Sequence, residues 1–358
     1  MPILDKPSME LAWQTFAAHK RFALTIARGT SDRTTNLWVR LAQDGLAGWG
    51  EASPFSTGHG EPGIEELVAE CEALAPRLQA YHPEQRQAIA ALLAERETAT
   101  AVRAAIDTAL HDWLGQRVQQ PLWRLGGLER ERIPPTSVTV GDRVIAGIQQ
   151  RIAAWQQQLT LRRLKLKLGH PDGIVADRER LLAAQQSAPQ AELYVDANGG
   201  WQLSDAIAMC DWLAERGVEY VEQPLAVGDE TALAELSARS PLPLFADESC
   251  RTSRDVPLLA DRVSGINIKL MKAGGLTEVV RMVHTARACG LQVMYGCYAD
   301  SVLANTAMAQ LSPLADYLDL DSHLNLVNDP FAGAVLQAGR LLPNERAGLG
   351  VTYRAPDG

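Results

Sequence analysis

Three acids in this sequence, Asp196, Glu222 and Asp247, follow one another at nearly equal intervals, and Lys269 continues the series; the steps are 26, 25 and 22 residues. Each acid closes a short apolar segment (LYVD, YVE, LFAD), the place where a strand gives way to a loop. Brought together, three carboxylates repel one another unless a cation neutralises them. Oxygen donors without Cys or His favour a hard ion, so the expected cofactor is Mg²⁺, with Mn²⁺ as the alternative, one per subunit. Lys165 and Lys167 share one face of LKLKLG by alternation, and Lys269 stands between Ile266, Ile268 and Leu270. Lysine among apolar neighbours is costly without a partner. Desolvated near other cations, it is expected to lose pKa and to act as a base near neutrality. A divalent ion beside the opposed Lys167 and Lys269 suits removal of a proton α to a carboxylate, the ion holding the carboxylate and the enediolate charge. One lysine takes the proton and the other returns it to the opposite face. Epimerisation is the natural outcome.

The elements that must position these groups repeat every 22–26 residues, the size of a strand–helix unit. Strand-like segments begin at Thr136, Leu164, Glu192, Tyr220, Leu244, Ile266, Gln292 and Tyr317, with helical stretches such as SDAIAMCDWLAERG between them. The expected fold class is α/β: a (β/α)7–8 TIM-type barrel, whose strand ends converge on one catalytic face. Ahead of it, NLWVRLA and AGWGEAS read as antiparallel strands. Ile64–Ala80 and Ala99–Gly115 read as helices, the second ending at a glycine C-cap. The run GGLERERIPP marks a boundary, since paired prolines continue neither helix nor central strand. The expected division is an α+β capping domain over 1–130, the barrel over 131–322, and a segment over 323–358 that returns to the capping domain.

Composition narrows the function. Charged residues make up 22% and hydrophobic ones 46% of 358 residues, ordinary globular usage. A net charge of −9 argues against a nucleic-acid or anionic-membrane partner. The five cysteines form no CxxC pair. No apolar run approaches the roughly 18 residues of a membrane span, and MPILDKPSME lacks the features of a signal peptide. A cytoplasmic homo-oligomer acting on a small molecule is expected. GHGEPG satisfies G-x-G-x-x-G, but it follows no apolar strand and contains Pro62, so it reads as a loop over the barrel mouth. His59 and His323 adjoin that mouth.

VDANGGW (Val195–Trp201), VEQPL (Val221–Leu225), ADES (Ala246–Ser249) and NIKLMKAGGL (Asn267–Leu276), after LKLKLG, resemble the enolase superfamily and its muconate-lactonizing-enzyme-like group. GWGEASP (Gly48–Pro54) is similar to that group's capping-domain loop. The resemblance implies that Asp196, Glu222 and Asp247 bind the metal. It further implies that Lys167 and Lys269 form the acid/base pair and that Lys165 orients the substrate carboxylate. Asp319 and Asp321, two apart in DLD on the eighth strand, face one side by alternation and invite a cation. They look like the Asp-x-Asp motif with which dipeptide epimerases grip an α-ammonium. TIARGT (Thr25–Thr30) resembles the IARG segment of L-Ala-D/L-Glu epimerases, which would set Arg28 against a substrate side-chain carboxylate. Tyr298, in YGCYADS, joins the substrate-binding set; it and the segment SHLNLVNDP depart from the L-Ala-D/L-Glu pattern. The expected activity is therefore epimerisation of a dipeptide's C-terminal residue, L-Ala-D/L-Glu first. Hydrophobic or cationic dipeptides, o-succinylbenzoate synthesis and N-succinylamino acid racemisation are the alternatives.

Overall fold

A computed structural model describes residues 8–58 and 60–354, so His59 lies outside the described residues. The chain opens with an antiparallel sheet, β1 (Glu10–Ile26), β2 (Gly29–Gln43) and β3 (Leu46–Ala52), in that order. β1 and β2 form a long hairpin whose register breaks between His19 and Leu24, and its tip carries Ala27 and Arg28. The strand β1 has no clean apolar alternation, which is why the sequence pattern does not announce it.

Helices α1 (Ile64–Leu78), α2 (Arg86–Glu95) and α3 (Thr100–Arg117) cover this sheet. The alanines of α3 let it approach β3 at backbone distance. A Cβ at Gly48 would lie 1.9 Å from the Ala109 carbonyl oxygen, and one at Gly50 would lie 1.9 Å from that of Ala105. The glycine C-cap expected at Gly115 is not observed, because α3 runs on to Arg117. Gly115 serves a close contact instead: a Cβ there would stand 2.5 Å from the Gly348 Cα.

Eight parallel strands follow: β4 (Val138–Val140), β5 (Arg163–Lys167), β6 (Glu192–Asp196), β7 (Val218–Glu222), β8 (Leu244–Ala246), β9 (Gly265–Lys269), β10 (Gln292–Gly296) and β11 (Tyr317–Asp319). Each pairs with its neighbours in chain order. The ring closes where Thr136 bridges Leu318 and the Ser137 N–H donates to the Leu318 carbonyl at 2.9 Å. This is the expected TIM-type barrel. The two-residue period of the strands stacks its interior in layers. Tyr194, Tyr220, Phe245, Met294 and Tyr317 pack together below the mouth. Two residues further along each strand, the interior positions become Asp196, Glu222, Asp247, Gly296 and Asp319. The aromatic layer closes the barrel's lower end, with Tyr194 stacked on Tyr220 at 4.7 Å, and forms a largely apolar floor under the acids.

The last segment runs back over the antiparallel sheet. Phe331–Ala332 pairs with Thr352–Tyr353, and Tyr353 stacks on Trp49 at 5.4 Å. Buried Asp112 of α3 ties the two parts, accepting the Trp49 N–H at 2.9 Å and the Leu349 N–H at 2.7 Å. Among the described residues, no helix is long and apolar enough to cross a membrane.

Seating α3 on β3 is expected to tolerate no side chain at residue 50. Gly50→Ala should lower unfolding free energy by about 1–3 kcal/mol or more, read from the urea midpoint at constant slope. An unchanged midpoint would show that the helix yields.

Candidate active site

The three regularly spaced acids meet at the mouth of the barrel. Asp196, Glu222 and Asp247 are wholly buried, and each offers an oxygen within 4.8 Å of the others'. Backbone and amide groups hold them in place. The Asn198 N–H donates to Asp196 Oδ1 at 2.8 Å, Asn267 Nδ2 donates to Glu222 Oε1 at 2.8 Å, and Gln223 Oε1 accepts the Asp247 N–H at 2.9 Å. Asn198 and Gln223 adopt left-handed backbone angles (φ 45° and 36°), so the chain turns sharply just beyond β6 and β7. Burial, and then the charges of Asp196 and Asp247, push the Glu222 carboxyl up to about 7.

Lysines supply the opposing charge, and the two that line the mouth take different acids. Lys167 Nζ lies 2.5 Å from Asp196 Oδ2, and Lys269 Nζ lies 2.6 Å from Asp247 Oδ2. β5 and β9 stand four strands apart in a ring of eight, so these lysines face the mouth from opposite sides. Gly296 leaves the room Lys269 needs, since a Cβ there would lie 3.0 Å from the Lys269 Cε. The sequence expectation of a depressed lysine pKa is corrected for Lys269. Burial acts to lower it, but Asp247 and its neighbours outweigh burial and hold the ammonium well above the usual range. Lys165 is wholly buried and does not reach the cavity. Its Nζ sits 2.6 Å from both Glu222 Oε2 and Asp319 Oδ2, and 3.5 Å from Asp196 Oδ2.

Above this floor lies a cavity of about 460 Å³ between the hairpin and the barrel loops; Arg28, Lys167, Lys269, Tyr298, Asp319 and Asp321 all line it. Asp321 lies two residues past the end of β11, yet it keeps the side of Asp319, as alternation requires. The two acids differ in partners. Asp319 binds Lys165, the Ser137 hydroxyl (2.7 Å) and the Thr139 hydroxyl (2.9 Å). Burial would raise its pKa, but Lys165 and Lys167 bring it down to about 2. Asp321 accepts the Thr139 N–H at 2.6 Å and is raised to about 7 by burial and by Asp319. Tyr298 stacks on Phe55 (4.8 Å) and places its ring 4.5 Å from Lys269 Nζ. Arg28 spans the mouth: its guanidinium binds Glu248 Oε1 at 2.7 Å and donates to the Asn198 and Ser56 carbonyls.

The chain matches family models along most of its length. Residues 12–127 match the mandelate racemase / muconate lactonizing enzyme N-terminal domain, and residues 147–357 match the enolase C-terminal domain-like family. The chain belongs to the enolase superfamily. It is 40% identical to the hydrophobic dipeptide epimerase of Flavobacteria bacterium (strain MS024-2A), over 96% of this chain and 97% of that one. It is 32% identical to the L-Ala-D/L-Glu epimerase of Bacteroides thetaiotaomicron, over 96% and 88%. Its fold superposes with a TM-score of 0.91 on the dipeptide epimerase of Cytophaga hutchinsonii, solved with Mg and D-Ala-L-Val. That match has 26% identity and covers 98% of this chain and 97% of that one.

The acid cluster suits a hard divalent ion on its own chemistry. All its donors are carboxylate oxygens and they are buried; burial first, and then repulsion from Asp196 and Asp247, raise Glu222. An ion there would take over countercharge that Lys167 and Lys269 now share. Two buried contributors escaped the sequence reading. Lys272, one short helical turn (Leu270–Ala273) beyond Lys269, binds Asp247 Oδ1 at 2.7 Å together with the Asp247 and Asn267 carbonyls. Glu248 pairs with Arg28. Both stood in the quoted motifs, but periodicity does not distinguish a lysine that braces an acid from one at the surface.

Because Lys272 holds both the side chain and the carbonyl of Asp247, Lys272→Met should weaken Mg²⁺ binding about 10- to 100-fold by titration calorimetry, with Lys272→Arg less affected. Equal affinity in the folded Met variant would remove Lys272 from the site.

Proposed function

We propose that this isomerase epimerises dipeptides at the Cα of the C-terminal residue. The observation that carries the reading is the pair Lys167 and Lys269, set on opposite sides of one cavity above three clustered carboxylates. Asp196, Glu222 and Asp247 would hold Mg²⁺, which when bound supplies the positive charge that steadies the substrate carboxylate as its α-proton leaves. Lys167 and Lys269 address the two faces of the Cα, one removing the proton and the other delivering one. Lys165, beneath the floor, keeps Glu222 and Asp319 in place by their shared contacts. Asp321 is the acid best placed for the N-terminal ammonium, since Asp319 is already engaged by Lys165. Substrates without an ammonium, such as those of the synthase and the N-succinyl racemase, would bring an acyl group or a carboxylate to this acid instead.

The C-terminal side chain lies under the hairpin tip. A glutamate side chain there needs Arg28, but the Arg28 fork is occupied by Glu248, Asn198 and Ser56. Leu24, Ile26 and Tyr298 line the same cavity. This favours an apolar C-terminal residue over Glu, because a second carboxylate would have to displace a charge pair already formed.

Incubation with Mg²⁺ and dipeptides in D₂O, read by mass spectrometry, tests the reaction. L-Ala-L-Leu should gain one deuteron at Cα and epimerise. Lys167→Ala and Lys269→Ala should each lose at least about 100-fold in epimerisation, each retaining exchange from one epimer only. Exchange on no dipeptide would sink the reading. L-Ala-L-Leu should also exceed L-Ala-L-Glu by about tenfold in kcat/KM. The reverse order would make Arg28 a ligand for the substrate.

A further inference from the structure

The charged groups lining the cavity sort by whether they already have partners. Arg28 pairs with Glu248, Lys167 with Asp196, Lys269 with Asp247, and Asp319 with Lys165. Two lining charges form no ion pair among the described residues: Asp321 and Lys20. Lys20 Nζ donates to Ser31, to the hydroxyl at 3.0 Å and to the carbonyl at 3.3 Å. Half burial pulls its ammonium below the usual lysine range, and Asp32 offsets this only in part.

Lys20 is also held in place. It lies on β1 at the break in register, where its backbone bridges Leu326. The segment that follows Asp321 straps this stretch of β1 to the barrel. Asn325 accepts the Phe22 N–H at 2.9 Å and donates to the Phe22 carbonyl at 2.8 Å. Asn328 Oδ1 accepts the His19 N–H at 2.8 Å, its amide donates to the Ala17 carbonyl, and the Val327 N–H donates to the His19 carbonyl at 3.0 Å. SHLNLVNDP therefore fixes the backbone around Lys20 against the cavity, whose wall Lys20, Asp321, Asn325 and Leu326 share.

We infer that Lys20 is a specificity determinant for the dipeptide's N-terminal side chain and forms a cationic subsite favouring Asp or Glu there. This rests on the epimerase reading above. With the α-ammonium on Asp321, an acidic side chain of the same residue meets the cavity cation that forms no ion pair among the described residues.

Deuterium exchange with L-Glu-L-Leu, L-Gln-L-Leu and L-Ala-L-Leu tests it, since the first two differ in charge but hardly in shape. The wild-type protein should favour L-Glu-L-Leu over L-Gln-L-Leu by about fivefold to tenfold in kcat/KM. Lys20→Met should bring that ratio to about one, and Lys20→Arg should keep it. A wild-type ratio of one or less, a measurement independent of any variant's folding, overturns the proposal. So does a preference that survives Lys20→Met while L-Ala-L-Leu is still turned over. Exchange on none of the three overturns the epimerase reading and this proposal together.

Discussion

Like charge gathered where water is excluded is the constraint on which the rest of this structure depends. Three wholly buried carboxylates at the barrel mouth would, left to themselves, pick up protons or disperse. Every neighbouring element is arranged to prevent that. β5 supplies Lys165 and Lys167, β9 supplies Lys269, and the turn after β9 supplies Lys272. The Asn198 N–H and the Asn267 amide hold Asp196 Oδ1 and Glu222 Oε1, oxygens that the lysines leave free, while Gln223 Oε1 accepts the Asp247 N–H. Buried ion networks of this kind are poor sources of stability, because desolvation consumes most of the Coulomb gain. What they provide here is geometry: acids facing inward, and lysines held over them from opposite walls.

Such a network requires a rigid, largely apolar frame beneath and a lid above. The frame is the aromatic layer of Tyr194, Tyr220, Phe245, Met294 and Tyr317, one pleat below the acids. The lid is the antiparallel hairpin, held in place at its tip and along its flank. At its tip Arg28 reaches Glu248, next to Asp247; along its flank Asn325 and Asn328 clasp the backbone of β1. The cavity wall is thus built jointly by the N-terminal hairpin, the barrel loops and the segment that follows Asp321.

Much of this was legible beforehand, for a physical reason. A parallel barrel repeats one unit, and its interior residues recur with a period of two, so acids ending successive strands must converge. Asp196, Glu222, Asp247, Lys167 and Lys269 could be placed from spacing alone, before any family resemblance was invoked. The glycines were less transparent. Gly115 looks like a helix stop in sequence, yet it lies inside α3, where Gly348 presses against it. A glycine needed for left-handed backbone and one needed for space are the same letter. β1 was missed because its exposed, lid-forming residues carry no apolar alternation.

The sequence by itself determined the barrel, the layer of acids at its mouth and the two lysines opposite each other, since all follow from strand periodicity. Only the tertiary structure decided which charges remain unpaired. Arg28 and Lys20 are both cations of one hairpin, eight residues apart. One meets Glu248, 220 positions away, while the other meets Ser31. Lys165 and Lys167 are likewise equivalent by alternation, but Lys165 is sealed below the cavity by Asp319 and Glu222, and Lys167 opens into it. Pairing depends on contacts between segments distant in sequence, and those exist only once the chain has closed upon itself.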